Sequence, residues 1–129
     1  MDPDTKTILL VEDDVLVRQM YARRLLTEGF RILEASDGVE GLAKLLNETV
    51  DLILLDVMMP KMNGYEMLQR VRKDPAIKDI AVIVLTNLND RPEEIEKIKE
   101  LGVKEYILKS DITLAELTKK VSSYLRPSA

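Results

Sequence analysis

The sequence predicts an α/β fold of five βα units, (βα)5, in which a parallel sheet lies between two layers of helices. Three observations predict it. Short apolar runs recur five times along the 129 residues. The runs lack strict polar alternation, which is how strands covered on both faces read. Each run is followed by a stretch whose apolar residues recur at helical spacing, so consecutive strands are joined by right-handed helical crossovers.

The elements follow in order. The first run, Ile8–Val11, precedes a helical stripe of Val17, Met20, Tyr21 and Leu25. Gly29 stands just past it, where a left-handed stop is wanted. The second run, Phe30–Glu34, leads to Val39, Leu42, Ala43 and Leu46. The third, Leu52–Leu55, leads to a shorter stripe of Tyr65, Leu68 and Val71, opened by Asn63 and Glu66 as a capping box. After the fourth, Ala81–Leu85, Asp90 with Glu93 fits a second box and Pro92 falls in a first turn, where it is tolerated. Ile95, Ile98 and Leu101 form the next stripe, which Gly102 closes. The fifth run, Glu105–Leu108, precedes a box of Thr113 and Glu116 and a stripe of Leu114, Leu117, Val121, Tyr124 and Leu125. Residues 1–6 and 126–129 read as flexible ends, leaving one domain over 7–125.

Composition narrows the function. The chain is 46% hydrophobic and 33% charged, ordinary for a soluble globular domain. A net charge of −4 argues against direct nucleic-acid binding by bulk electrostatics. No run has the length of a membrane span and the start lacks the apolar core of a signal peptide, so no membrane contact and a cytoplasmic location are expected. The chain has no Cys, which excludes disulfides, thiol catalysis and Cys-zinc sites. It has no His, which excludes imidazole acid–base chemistry, Ser-His-Asp triads and a phosphohistidine carrier role. Chemistry here must rest on carboxylates, Lys, hydroxyls or a hard metal ion.

Sites in open α/β sheets form outside the carboxyl ends of the strands. Glu12-Asp13-Asp14 follows the first run, Asp56 the third, Thr86 the fourth and Lys109 the fifth. Asp14 has a simpler role available as a helix cap. Taken singly, Thr86 could bond its own loop and Lys109 could be a solvated charge. Asp56 resists such a reading, because an acid ending four apolar residues costs desolvation. Gathered at one edge, the carboxylates repel unless a cation intervenes. An oxygen-only ligand set selects a hard ion, and Mg2+ fits best. Asp56 would then be a poised oxygen nucleophile, with Lys109 and Thr86 placed to hold other phosphoryl oxygens.

The motifs "LLVEDD", "LILLDVMMPKMNG", "VIVLTN" and "YILKS", in that order and at that spacing, resemble the receiver domain of two-component response regulators, over Thr7 to about Leu125. The likeness is to single-domain, chemotaxis-regulator-like receivers. It implies a flavodoxin-like doubly wound sheet with strand order 2-1-3-4-5. It implies that Asp56 accepts a phosphoryl group from a phosphohistidine on a sensor histidine kinase or histidine phosphotransfer protein, with Mg2+ as cofactor. Asp13, Asp56 and the Met58 backbone carbonyl would hold the metal, with Glu12 acting through water. Lys109 would bind the phosphoryl group, Thr86 would hydrogen-bond it, and Tyr106 would be the switch aromatic. A downstream protein would bind the face of the fourth helix, fifth strand and fifth helix, and the chain would be a monomer or a phosphorylation-dependent homodimer. It would be no enzyme beyond its own phosphoryl transfer and slow autodephosphorylation. Pro60 and Gly64 match the loop after the acceptor.

Two positions depart from the family pattern. Ser110 stands where Pro usually follows the lysine in a cis peptide. A cis bond before a non-proline costs roughly 3 kcal/mol, so a trans bond and a changed loop are expected. Asn87 stands where the residue after Thr86 is usually small, and is expected to narrow the donor's path or hydrogen-bond the phosphoryl group. Met58 is apolar at a position that in this family influences how water reaches the acyl phosphate, and a fairly long-lived phosphoryl group is expected.

Other functions weigh less. A haloacid-dehalogenase-type hydrolase resembles D-x-D-x-T, whereas Val57 and Met58 follow Asp56. A flavodoxin-like cofactor module wants a Thr/Ser/Gly-rich loop after the first strand, where Glu-Asp-Asp would repel phosphate. A phosphorylation-independent docking module remains the main alternative, kept open by Ser110 and Asn87.

Overall fold

The computed structural model describes residues 4–59 and 61–126. The chain runs β1 (Thr7–Val11), α1 (Val15–Thr27), β2 (Arg31–Ala35), α2 (Gly38–Asn47), β3 (Leu52–Asp56), α3 (Gly64–Lys73), β4 (Ala81–Thr86), α4 (Pro92–Glu100), β5 (Glu105–Leu108) and α5 (Leu114–Leu125). The five strands are parallel and ordered β2-β1-β3-β4-β5, as expected. The expected loose ends fall partly outside the described residues. Among the described residues, no helix is long and apolar enough to cross a membrane.

Strands β1 and β3 are buried along their whole length, and β4 nearly so. The outer strands β2 and β5 are only half-buried, because each lacks a neighbour on one side. Strand pleating divides the interior in two. Ile8, Leu10, Leu54 and Leu85 pack with Tyr21 and Leu25 of α1 and Leu117 and Val121 of α5. Leu9, Val11, Ile53 and Val84 pack with Leu45 of α2, Met67, Leu68 and Val71 of α3 and Ile98 of α4.

Helix boundaries follow the local signals with one exception. Asn63 with Glu66, and Thr113 with Glu116, form reciprocal capping boxes. Pro92 occupies the first turn of α4, and Gly29 and Gly102 take the left-handed conformation at φ 94° and 80°. Asp90, expected to cap α4, does not. The helix starts after Arg91 without a side-chain cap, and the Asp90 carboxylate instead accepts a hydrogen bond from the Asn87 backbone N–H at 2.8 Å.

The core-facing stripe of α2 also differs from expectation. Val39, Ala43 and Leu46 face solvent, while Gly38, Gly41 and Leu45 are buried. The two glycines let the helix approach Met62 and Met67 closely, and Leu42, of the expected stripe, packs against the core beside the buried Leu45. Met20 of α1 is likewise exposed, with Ala22 buried in its place.

Candidate functional site

Strand register sets the site. Val11 pairs with Leu55, so Glu12 and Asp56 sit at the same level one residue further on. Asp56 pairs with Leu85, and Thr86 with Leu108, which places Lys109 just beyond. Side chains alternate along each strand, so Asp56 shares its face with Leu54 and Leu85, the side covered by α1 and α5. Thr86 shares the opposite face with Val84 and Tyr106, the side covered by α3 and α4.

Each residue is fixed by its own surroundings. Asp56 and Glu12 are each only 2% exposed, whereas Asp13 is open to solvent. The Glu12 N–H donates to Ala35 O at 3.0 Å, and Arg18 donates to the Glu12 carbonyl at 2.9 Å while pairing with Glu34. Asp14 turns the other way and caps α1, accepting from the Leu16 and Val17 N–H groups. The loop after β3 returns to the strand through Gly64, whose N–H donates to Val57 O at 2.8 Å. A Cβ on Gly64 would lie 2.5 Å from the Asp56 carbonyl oxygen, so no side chain fits there. Pro60, in the same loop, lies outside the described residues.

Lys109 reaches the acids. Its Nζ donates to Glu12 Oε2 at 2.6 Å and lies 3.4 Å from Asp56 Oδ1. No cis peptide bond occurs among the described residues, so the Lys109–Ser110 bond is trans, and Lys109–Asp111 form a short 3-10 turn. That turn does not withdraw the ammonium from the acids. Asp56 Oδ1 is buried and, despite the nearby Nζ, takes no hydrogen bond of acceptable geometry. Burial pushes the Asp56 carboxyl up to about 7, the Glu12 charge adds to the rise and Lys109 opposes it. Burial disfavours the Lys109 ammonium, but its bond to Glu12 and the charge of Asp56 outweigh that and hold its pKa above the usual value.

Thr86 is buried, and its hydroxyl donates to Ile107 O at 3.3 Å. It also lies against the Tyr106 phenol. Burial raises that phenol's pKa, the Thr86 hydroxyl opposes the rise, and Asp90 and Glu96 add to it. Lys99 of α4 sits over the Tyr106 ring at 4.9 Å from its centroid. Asn87 is exposed at the rim of a cleft shared with Met58, Asp90 and Ser110.

The edge therefore brings together Glu12, Asp13, Asp56 and Lys109, with Thr86 and Tyr106 adjacent and Met58 on the flanking loop. Carboxylate oxygens of Glu12, Asp13 and Asp56 all lie within 4.8 Å of one another. Three such carboxylates, one of which has a buried oxygen without a hydrogen-bond partner, fit a hard divalent cation. Sequence reasoning missed Arg18, Asp90 and Tyr21. The Tyr21 phenol is raised mainly by burial, Lys109 opposes the rise, and the charges of Glu12 and Asp56 add to it. None of the three had a sequence signal beyond ordinary helix or cap patterning.

Comparisons with known proteins give the family and the fold. Residues 8–122 match the family model for the response regulator receiver domain. A probable transcriptional regulator, ycf27 of Cyanophora paradoxa, is 37% identical over 126 residues, covering 98% of this chain and 51% of the relative. This chain thus spans about half the length of the curated relatives it matches first. The crystal structure of a CheY-like receiver domain protein from Methanospirillum hungatei JF-1 superposes with a TM-score of 0.85 at 30% identity, covering 94% of each chain. That of the phosphorylated cyanobacterial phytochrome response regulator RcpA superposes with a TM-score of 0.80 at 31% identity, covering 97% of each. The chain belongs to the response regulator receiver domain family of two-component systems.

Proposed function

We propose that this domain is a phosphorylation-activated switch in which Asp56 accepts a phosphoryl group from a phosphohistidine on a sensor histidine kinase or histidine phosphotransfer protein. The observation that carries the reading is Asp56 itself: a buried carboxylate at the end of β3, with Oδ1 lacking a hydrogen-bond partner and the Lys109 ammonium 3.4 Å away. An Asp56 oxygen attacks phosphorus, the phosphorus–nitrogen bond breaks, and its electron pair leaves with the donor imidazole. Asp13, Asp56 and the Met58 carbonyl, with Glu12 through water, would hold Mg2+, which would supply charge neutralisation for the transferred group.

The chain's own residues do the rest. Lys109 leaves Asp56 Oδ1 for a phosphoryl oxygen. Thr86 gives up its bond to Ile107 O and donates to another. Because Thr86 and Tyr106 touch, that movement opens room for the Tyr106 ring to turn inward, and the surface of α4, β5 and α5 changes for a downstream partner. The exposed Val15, Leu16 and Met20 begin one residue past Asp14, so a protein presenting its phosphohistidine to Asp56 meets an apolar patch on α1. On this reading the chain catalyses only its own phosphorylation and slow dephosphorylation, acts in the cytoplasm, and is a monomer or a phosphorylation-dependent homodimer.

The test is intact mass after incubation with acetyl phosphate, with Mg2+, with EDTA, and in Asp56→Asn. A single phosphoryl gain that needs both Mg2+ and Asp56 is expected. No gain in folded protein that still binds Mg2+ would overturn the reading in favour of phosphorylation-independent docking.

A further inference from the structure

Two backbone hydrogen bonds hold the described parts of the segment after β3. At its far end Gly64 ties it to β3, as described above. At its outer side it leans on the start of α2: the Gly38 N–H donates to Met62 O at 3.1 Å. The contact leaves no room. A Cβ on Gly38 would sit 2.8 Å from both Met62 Cγ and Met62 O and 3.0 Å from Met62 Cβ, and one of those atoms is backbone. Met59 and Met62 also pack against the core on the α2–α3 side. Lys61, between them, is held at φ 64°, the only non-glycine positive φ among the described residues. Its ammonium lies 3.8 Å from Asp37, a buried carboxylate that caps α2 by accepting the Glu40 N–H at 2.8 Å. That ion pair contributes little, since the Lys61 side chain is 74% exposed.

We propose that Gly38 is a positioning residue for cation binding: by seating Met62 against the first turn of α2, it fixes the loop that carries the Met58 carbonyl beside Asp56. This rests on the reading above, in which that carbonyl is a metal ligand. A side chain at Gly38 forces Met62 and the first turn of α2 apart, and Met62 stands four residues from Met58 on the loop that Gly64 closes. The acids Glu12, Asp13 and Asp56 are untouched by the change. Metal sites are sensitive to such outer supports, whose loss lowers affinity on the order of tenfold.

Gly41, one turn along α2, supplies the control. It is equally buried, and a Cβ there would meet the flexible end of Met67 at 2.9 Å, away from the loop. The experiment is Mg2+ titration by calorimetry on the wild type, Gly38→Ala, Gly41→Ala and Met62→Ala, each checked for folding by circular dichroism. Gly38→Ala and Met62→Ala are expected to bind Mg2+ on the order of tenfold more weakly, with Gly41→Ala near the wild type. Met62→Ala loosens the same contact from the loop side, so the test stands if Gly38→Ala fails to fold. Wild-type affinity in folded Gly38→Ala or Met62→Ala, or equal weakening in Gly41→Ala, overturns the proposal. Failure of the wild type to bind Mg2+ would instead overturn the metal reading itself.

Discussion

Replacing Asp56 by Asn should stabilise the metal-free protein, and by an amount that depends on pH. The carboxyl is 2% exposed and its pKa is pushed from an ordinary 3.8 up to about 7. Between those values the folded chain holds a proton that the unfolded chain has lost, so stability falls as pH rises through this window and levels off above about 7. About three pKa units at 1.36 kcal/mol each amount to roughly 4 kcal/mol at the plateau. Asn is nearly isosteric and carries no charge to desolvate, while Lys109 keeps its 2.6 Å bond to Glu12. Allowing for the amide's own imperfect partners, the variant should be more stable by about 2–4 kcal/mol at pH 8. The gap should shrink steadily towards pH 4. Urea unfolding in EDTA, followed by circular dichroism at pH 4, 5.5, 7 and 8, measures it. A stability difference between the two proteins that does not change with pH would refute the reasoning, because only ionisation of residue 56 distinguishes them along that axis. Mg2+ at about a hundredfold above its dissociation constant should then return about 2.7 kcal/mol to the wild type.

Lys109→Gln leaves the buried Glu12 carboxylate without its partner and should cost about 3 kcal/mol at pH 8 in EDTA, read by the same urea titration; a variant as stable as the wild type would show the pair to be inert. Arg72→Ala removes a guanidinium that donates to the carbonyls of Leu101, Lys78, Ile80 and Gly102 at 2.6–3.0 Å, tying α3 to the ends of β4 and α4. It should lower stability by about 2–4 kcal/mol at roughly 1 kcal/mol per bond while leaving phosphorylation of the folded protein intact, and lost phosphorylation would show that the clamp reaches the site. Met58→Asn should shorten the phosphoryl half-life, followed as decay of the phosphorylated mass, because it replaces an exposed apolar side chain beside Asp56 by one that can hold water. An unchanged half-life would count against a role for that side chain.

The architecture and the acidic edge were legible because they rest on local patterns. Five apolar runs and the residues that end them are visible in one dimension, and parallel pairing carries those ends to a common edge. Asn63 and Thr113 were legible as caps for the same reason: their partners lie three residues away. What was hidden depends on distance or rotation. Arg18 acts through Glu34, and Arg72 through carbonyls up to 30 residues away. Asp90 looked like a cap, but the chain spends one more residue turning after β4, so its carboxylate meets the Asn87 N–H instead. The apolar stripe of α2 pointed to Val39 and Leu46, yet close approach at Gly38 and Gly41 decides which side faces in. Size of side chain predicts burial only where the helix has no smaller surface that packs more tightly.

The two faces of the sheet give spacing here a parity. Asp56 belongs to the α1–α5 side and Thr86 to the α3–α4 side, and each assignment follows from counting residues along a strand. Insert one residue within β4 and every side chain beyond it changes sides: threonine would join the acids and a leucine would take its place beside Tyr106. Insert two and the sides are restored, but threonine stands one pleat too far out. Length variation in the central strands is therefore forbidden in odd steps by sidedness and in even steps by reach. Loops and helices can lengthen or shorten, whereas the distance from the apolar run to the chemical residue that ends it is fixed as a whole number with no neighbours that work.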